Sequence, residues 1–230
     1  MRRSLRITLM AAFAAIYAAL SLIPAFKILG GNGSIPVSRF ISPLVGIILG
    51  PILGVASVTI GGIIGTMMNP MSGLGFYSFI PGALCAFSSG MIQRGKTWIA
   101  ASILSGLVVI FLIDPLNNVQ PVFPYFVWLH LVALLILVSP MRKQATELFQ
   151  RTKANETITA MALIIFPSTM IEQLTGSIIF VTIYGPAVWS AGMLIMLAFP
   201  IERTIITVGG SIIGAALLKS LHAAGINITR

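Results

Sequence analysis

The chain has 230 residues, of which 57% are hydrophobic and only 8% charged, and its formal net charge is +9. A soluble domain carries about 25% charged residues, so a soluble globular fold is excluded and a polytopic membrane protein of the all-α class is expected. In such a chain basic residues set orientation in the bilayer; membrane lipid is an expected partner and nucleic acid is not.

Residues 5–26 open the chain with about 20 apolar positions, enough at ~1.5 Å rise to cross a ~30 Å hydrocarbon layer. This run exceeds the ~7–15 residues of a signal-peptide core, so it is read as a retained helix. Within it Ala11, Ala15 and Ala19 recur every four residues, with Ala14 and Ala18 as a second row beside them. Small residues let two helix backbones approach closely in lipid. The strip is therefore either a docking face for a partner or a contact inside the same bundle, and spacing alone leaves both open.

Residues 27–39 are glycine-rich and too polar to span. The apolar run 41–68 is divided by Gly50-Pro51, where proline removes a backbone donor and disfavours helix in the residue before it. Two short helices, 38–50 and 52–68, meeting in a turn are expected, with one kinked helix as the alternative. After the turn at 69–75, a helix at 76–93 ends before Arg94 and Lys96. Residues 98–116 and 122–139 form a further pair joined through Asp114-Pro115-Leu116-Asn117-Asn118. The segment 141–156 is charge-rich, 158–183 spans again, and 187–221 reads as one long helix interrupted by Pro200-Ile201-Glu202-Arg203.

These segments give about eight crossings, within a range of six to eight, and a single membrane domain over 1–230. With the N-terminus inside, eleven basic residues fall inside (Arg2, Arg3, Arg6, Arg94, Lys96, Arg142, Lys143, Arg151, Lys153, Lys219 and Arg230). Lys27 and Arg39 fall outside, and Arg203 lies within the last helix. That bias places both termini in the cytoplasm and supports the turn at Gly50-Pro51. The stretch 59–65 echoes 207–214, an echo that small-residue packing explains as well as an internal repeat does.

No H-E-x-x-H, C-x-x-C, G-x-S-x-G or Walker pattern is present, so neither enzymatic activity nor a metal or other cofactor is expected. What remains are polar groups that lipid would penalise. Glu172 and Gln173 sit in the middle of 158–183, and Glu202 and Arg203 interrupt the last helix. A charge at a helix centre costs about 2.5–3.5 kcal/mol on insertion scales, so these groups face one another or a cavity. A Glu172–Arg203 or Glu202–Arg203 pair locking two helices is one reading; a solute pocket is the other. Trp189, Tyr184, Tyr77, Phe76, Tyr125 and Trp128 gather near the outward helix ends, as aromatic belts do. Some of them could instead stack on a ring-shaped ligand, with Asn69, Asn117, Asn118 and His130 as further hydrogen-bonding groups on that side.

The alanine ladder Ala11-x-x-x-Ala15-x-x-x-Ala19 precedes a glycine-bearing loop, the run from Leu44 through Gly50-Pro51 to Gly54, and a helix with Gly61, Gly62 and Gly65. Phe79-Ile80-Pro81-Gly82-Ala83-Leu84 follows, with Tyr184-Gly185 and Pro200-Ile201-Glu202 later. This order resembles the substrate-binding S components of energy-coupling-factor vitamin transporters, especially the folate/pantothenate-like branch, over the first 95 and last 70 residues. The resemblance implies a multi-pass protein of the cell membrane that captures a vitamin-like nutrient from outside. Its first-helix alanines would dock on a transmembrane coupling subunit driven by two cytoplasmic ATPases, and residues 30–38 would act as a lid. The substrate-binding residues expected are Glu172, Gln173, Glu202, Arg203, Trp189, Tyr184, Asn69 and Tyr77. The family usually has six helices, so 5–93 and 158–221 would form its core and 97–140 an extra hairpin. A self-sufficient proton-coupled carrier using Glu172 or Glu202, and a ligand-free membrane scaffold, are the alternatives.

Overall fold

A computed structural model describes residues 3–29, 33–69, 73–116, 123–149 and 154–226. Among these described residues the architecture is all-α apart from one small β-hairpin. Helix α1 (Arg3–Leu20) ends earlier than its apolar run, because Ile23 precedes a proline and is biased to extended backbone. The chain instead forms β1 (Pro24–Lys27), which pairs antiparallel with β2 (Ser34–Pro36) in the register Phe26↔Ile35 and Lys27↔Ser34. No alternating apolar pattern marks these strands, so the sequence predicts a polar loop here instead of a hairpin. Of the proposed lid 30–38, residues 30–32 lie outside the described residues.

A 3-10 turn (Val37–Phe40) leads into α2 (Ser42–Leu49) and α3 (Pro51–Met68). Gly50, at φ 82°, turns the chain between them, and Pro51 opens α3 where its missing N–H costs nothing. The hairpin expectation holds, and a continuous kinked helix does not. A second 3-10 turn (Gly75–Ser78) precedes α4 (Phe79–Gln93); α5 (Thr97–Ile113), α6 (Phe123–Phe126) and α7 (Trp128–Val138) follow. The charged segment forms α8 (Met141–Phe149). Helix α9 (Ala154–Tyr184) carries Pro167, and α10 (Gly192–Ala223) runs unbroken through Pro200.

Among the described residues, four helical stretches are long and apolar enough to cross a membrane: Pro51–Met68, Gly75–Gln93, Asn155–Tyr184 and Leu194–Ala223. Ser4–Leu20, Val37–Leu49, Thr97–Ile113 and Trp128–Val138 are apolar but shorter. All eight residues of α2 are buried, and at ~1.5 Å per residue the helix is only about 12 Å long. It is enclosed by α3, α4, α9 and α10. A Cβ at Gly46 would strike the Ala86 carbonyl, Ser89 Oγ donates to the Pro43 carbonyl at 2.8 Å, and Leu44 packs on Gly214. Such glycine approaches and hydroxyl bonds hold helices together where lipid supplies little hydrophobic drive.

The alanine strip divides. Ala14 and Ala18 are buried, at 5% and 6% exposure, because Gly61 and Gly65 bring α3 against their backbone. These two do not belong to a docking face, contrary to the sequence reading. Ala11, Ala15 and Ala19 are exposed. The glycines of the 59–65 and 207–214 echo serve packing in both places: Gly61 and Gly62 meet α1 and α4, whereas Gly209 and Gly210 meet Phe40.

Candidate functional site

The polar centre of the bundle is built around Glu172 on α9. Arg39, in the 3-10 turn after β2, donates from Nη1 to Glu172 Oε1 at 2.7 Å and from Nη2 to the Ser78 carbonyl at 3.0 Å. Ser42, at the start of α2, lies 3.3 Å from the same Oε1, and Tyr17 of α1 is 3.4 Å from Ser42 Oγ. Both charges are buried, Arg39 at 8% and Glu172 at 2% side-chain exposure. The pair differs from both expected pairings: Glu172 is neutralised by Arg39 and not by Arg203, and no ion pair joins Glu202 to Arg203 among the described residues. Removing one member of such a pair strands a buried charge and typically costs 3–5 kcal/mol, roughly.

Beside this pair lies a cavity of about 140 Å³. That is close to the ~150 Å³ of an engineered apolar cavity that takes up benzene. Its cover is the β-hairpin, through Lys27, Ile28, Leu29 and Ile35. One wall comes from α9 (Glu172, Gln173, Ser177 and Phe180), and the facing wall from α10 (Ile195, Phe199, Glu202 and Arg203). Trp189 reaches in from the 3-10 turn Pro186–Ala191.

Arg203 is the unsatisfied point of this arrangement. The residue is 4% exposed, and its Nε and Nη1 have no hydrogen-bond partner among the described residues. A buried cation without a partner is costly, and cations in lipid-embedded segments mark ligand paths or compensated sites. Glu172 keeps Oε2 unbonded as well. Gln173 is held differently: its Oε1 lies 2.6 Å from His130 Nε2, and its amide nitrogen donates to Ser177 Oγ at 3.1 Å. An amide oxygen only accepts, so His130 carries its proton on Nε2.

Helices α5, α6 and α7 stand behind this wall. Phe126 packs on Phe199 with ring centroids 4.8 Å apart and on Trp189 at 5.4 Å, Phe111 meets Trp189 at 6.0 Å, and His130 stacks on Phe199 at 6.1 Å. These helices brace the site instead of standing apart from it. His130 is a support behind Gln173, not a cavity group.

Of the substrate-binding residues expected from the sequence, Glu172, Gln173, Glu202, Arg203 and Trp189 line one cavity. Three do not. Tyr184 and Tyr77 are 48% and 52% exposed, and Asn69 points to the Ser21 carbonyl at 3.5 Å in a neighbouring cleft. Asn117 and Asn118 lie outside the described residues. Arg39, Lys27, Ser177, Phe180 and Phe199 also line the cavity and are not among the substrate-binding residues that the sequence suggests. Arg39 reads in sequence as an outside loop charge, and its place directly before the apolar run 40–55 is the one signal of its inward position.

No family model matches the chain, and no solved structure matches it. The chain is similar to an uncharacterized protein of Methanocaldococcus jannaschii, 29% identical over 188 residues that make up 81% of this chain. Those residues cover 61% of that protein, so the chain spans less than two thirds of its length.

Proposed function

We propose that the chain is the substrate-binding subunit of an energy-coupling-factor-type uptake transporter. It takes a vitamin-like nutrient into the cavity beneath the hairpin and passes it inward once docked on a transmembrane coupling subunit driven by two ATPases. The observation that carries this reading is the cavity beneath the hairpin, holding a buried arginine whose Nε and Nη1 have no hydrogen-bond partner among the described residues. The exposed row Ala11, Ala15 and Ala19 supports a partner at α1. On this reading the apolar segments make about eight crossings of the cell membrane with both termini inside. Arg94 beside the Gly50 turn and α8 beside Gly95 collect basic residues at the end of the bundle away from the hairpin, in keeping with the positive-inside rule.

Co-purification followed by mass spectrometry is the first test, with one stoichiometric small molecule expected. Ala15→Trp should leave ligand binding intact and abolish uptake by cells or by the reconstituted complex. Uptake by the chain alone, driven by an imposed pH gradient and lost in Glu202→Gln, would instead establish the self-sufficient carrier.

A further inference from the structure

We propose that the cavity selects a small single-ring carboxylic acid in its ionised form, bound with its carboxylate on the Arg203 guanidinium. This assignment rests on reading the cavity as a solute site and goes further by naming the ligand's charge and size.

Charge is the first argument. The cavity is lined by three cationic residues, Lys27, Arg39 and Arg203, against two carboxylates, Glu172 and Glu202. Arg39 and Glu172 neutralise each other at 2.7 Å. Arg203 is left buried with Nε and Nη1 unsatisfied among the described residues, and no carboxylate is in ion-pair contact with it. Counting Lys27, which is exposed, the lining has a surplus of one positive charge, and the unused donors inside it are Arg203 Nε and Nη1. A phosphate monoester carries about −1.5 to −2 at neutral pH and would overshoot it, whereas a carboxylate balances it and matches the planar fork of a guanidinium.

Size and wall chemistry supply the rest. The cavity is open on one side, and its enclosed part of about 140 Å³ holds a body on the scale of one ring, since ~150 Å³ suffices for benzene. Phe180, Phe199 and Trp189 present ring surface to that body, with Ile195 and Leu74 completing an apolar lining. Ring recognition of this kind combines apolar enclosure with a few fixed polar groups. Ser177 adds one: its oxygen already accepts from Gln173, so its own proton is free to be donated to the guest. His130 fixes this polarity by holding the Gln173 oxygen away from Ser177.

The test uses three probes of one shape and different charge, namely benzoate, benzamide and benzylamine, titrated into the full chain in detergent after exhaustive dialysis. Calorimetry and thermal unfolding read the binding. Benzoate should bind at least about tenfold more tightly than benzamide, the fold-change expected when a charge-assisted hydrogen bond is lost, and benzylamine should not bind. Arg203→Gln should remove the preference for the acid, and Arg203→Lys should weaken it by keeping the charge without the fork. The wild-type series stands even if the Arg203 variants fail to fold. Benzamide or benzylamine binding as tightly as benzoate overturns the acid assignment and leaves a solute site standing. If none of the three binds, the co-purified molecule decides: a single-ring acid supports the assignment, and a molecule lacking an acid overturns it. No binding and no co-purified molecule would overturn both readings.

Discussion

Arg39 and Glu172 are 133 positions apart in the chain yet share a hydrogen bond of 2.7 Å in the middle of the bundle. Glu172→Gln keeps the shape and the acceptor oxygen but leaves the Arg39 guanidinium without a counter-charge. It should destabilise the protein by about 3–5 kcal/mol in equilibrium unfolding in mixed micelles. Arg39→Gln combined with Glu172→Gln should cost clearly less than the sum of the two single changes, because the stranded charge is then gone. Strict additivity would show that the two side chains do not depend on each other. Residues in apolar runs announced themselves in the sequence: Glu172, Gln173, Glu202 and Arg203 stood out because lipid cannot tolerate them uncompensated. Their partners were not legible. Pairing depends on which turn brings which helix face inward, so Arg39, at the border of a polar loop, looked like an orientation charge.

At the level of elements, α1 has two faces that look alike on paper. The face through Ala14 and Ala18 meets the glycines of α3, whereas the face through Ala11, Ala15 and Ala19 is open. Ala14→Leu should therefore lower unfolding free energy by roughly 1–3 kcal/mol, the cost of overpacking a close contact. Ala15→Leu should change it by no more than about 0.5 kcal/mol. Equal losses from both would place the open face inside the bundle. Helix positions and the Gly50-Pro51 turn were legible because hydrophobic runs and proline act locally. The β-hairpin was not, since seven short strand residues held by one pairing leave no periodic trace.

For the whole molecule, the cavity is lined by pieces from distant parts of the chain: a hairpin from the first 40 residues, α9 and α10, with α6–α7 as a brace behind them. Its sidedness can be measured with the chain's own chemistry. Cys85 is fully buried, so it should stay silent to a membrane-impermeant maleimide. Cysteines placed at Lys27 or Ser34 should label in intact cells, and cysteines placed at Lys96 or Lys143 only after permeabilisation. Labelling of both groups from one side would refute the eight-crossing arrangement.

Helix α2 carries one last implication. Its walls include α4 near at hand, but also α9 and α10, with Ser42 meeting Glu172 across 130 positions of sequence. At about 12 Å it cannot rest in the bilayer as an independent rod. During synthesis these residues must wait in a half-built groove until the last third of the chain arrives. The enclosure of α2 is thus completed only when α9 and α10 have been made, long after α2 itself.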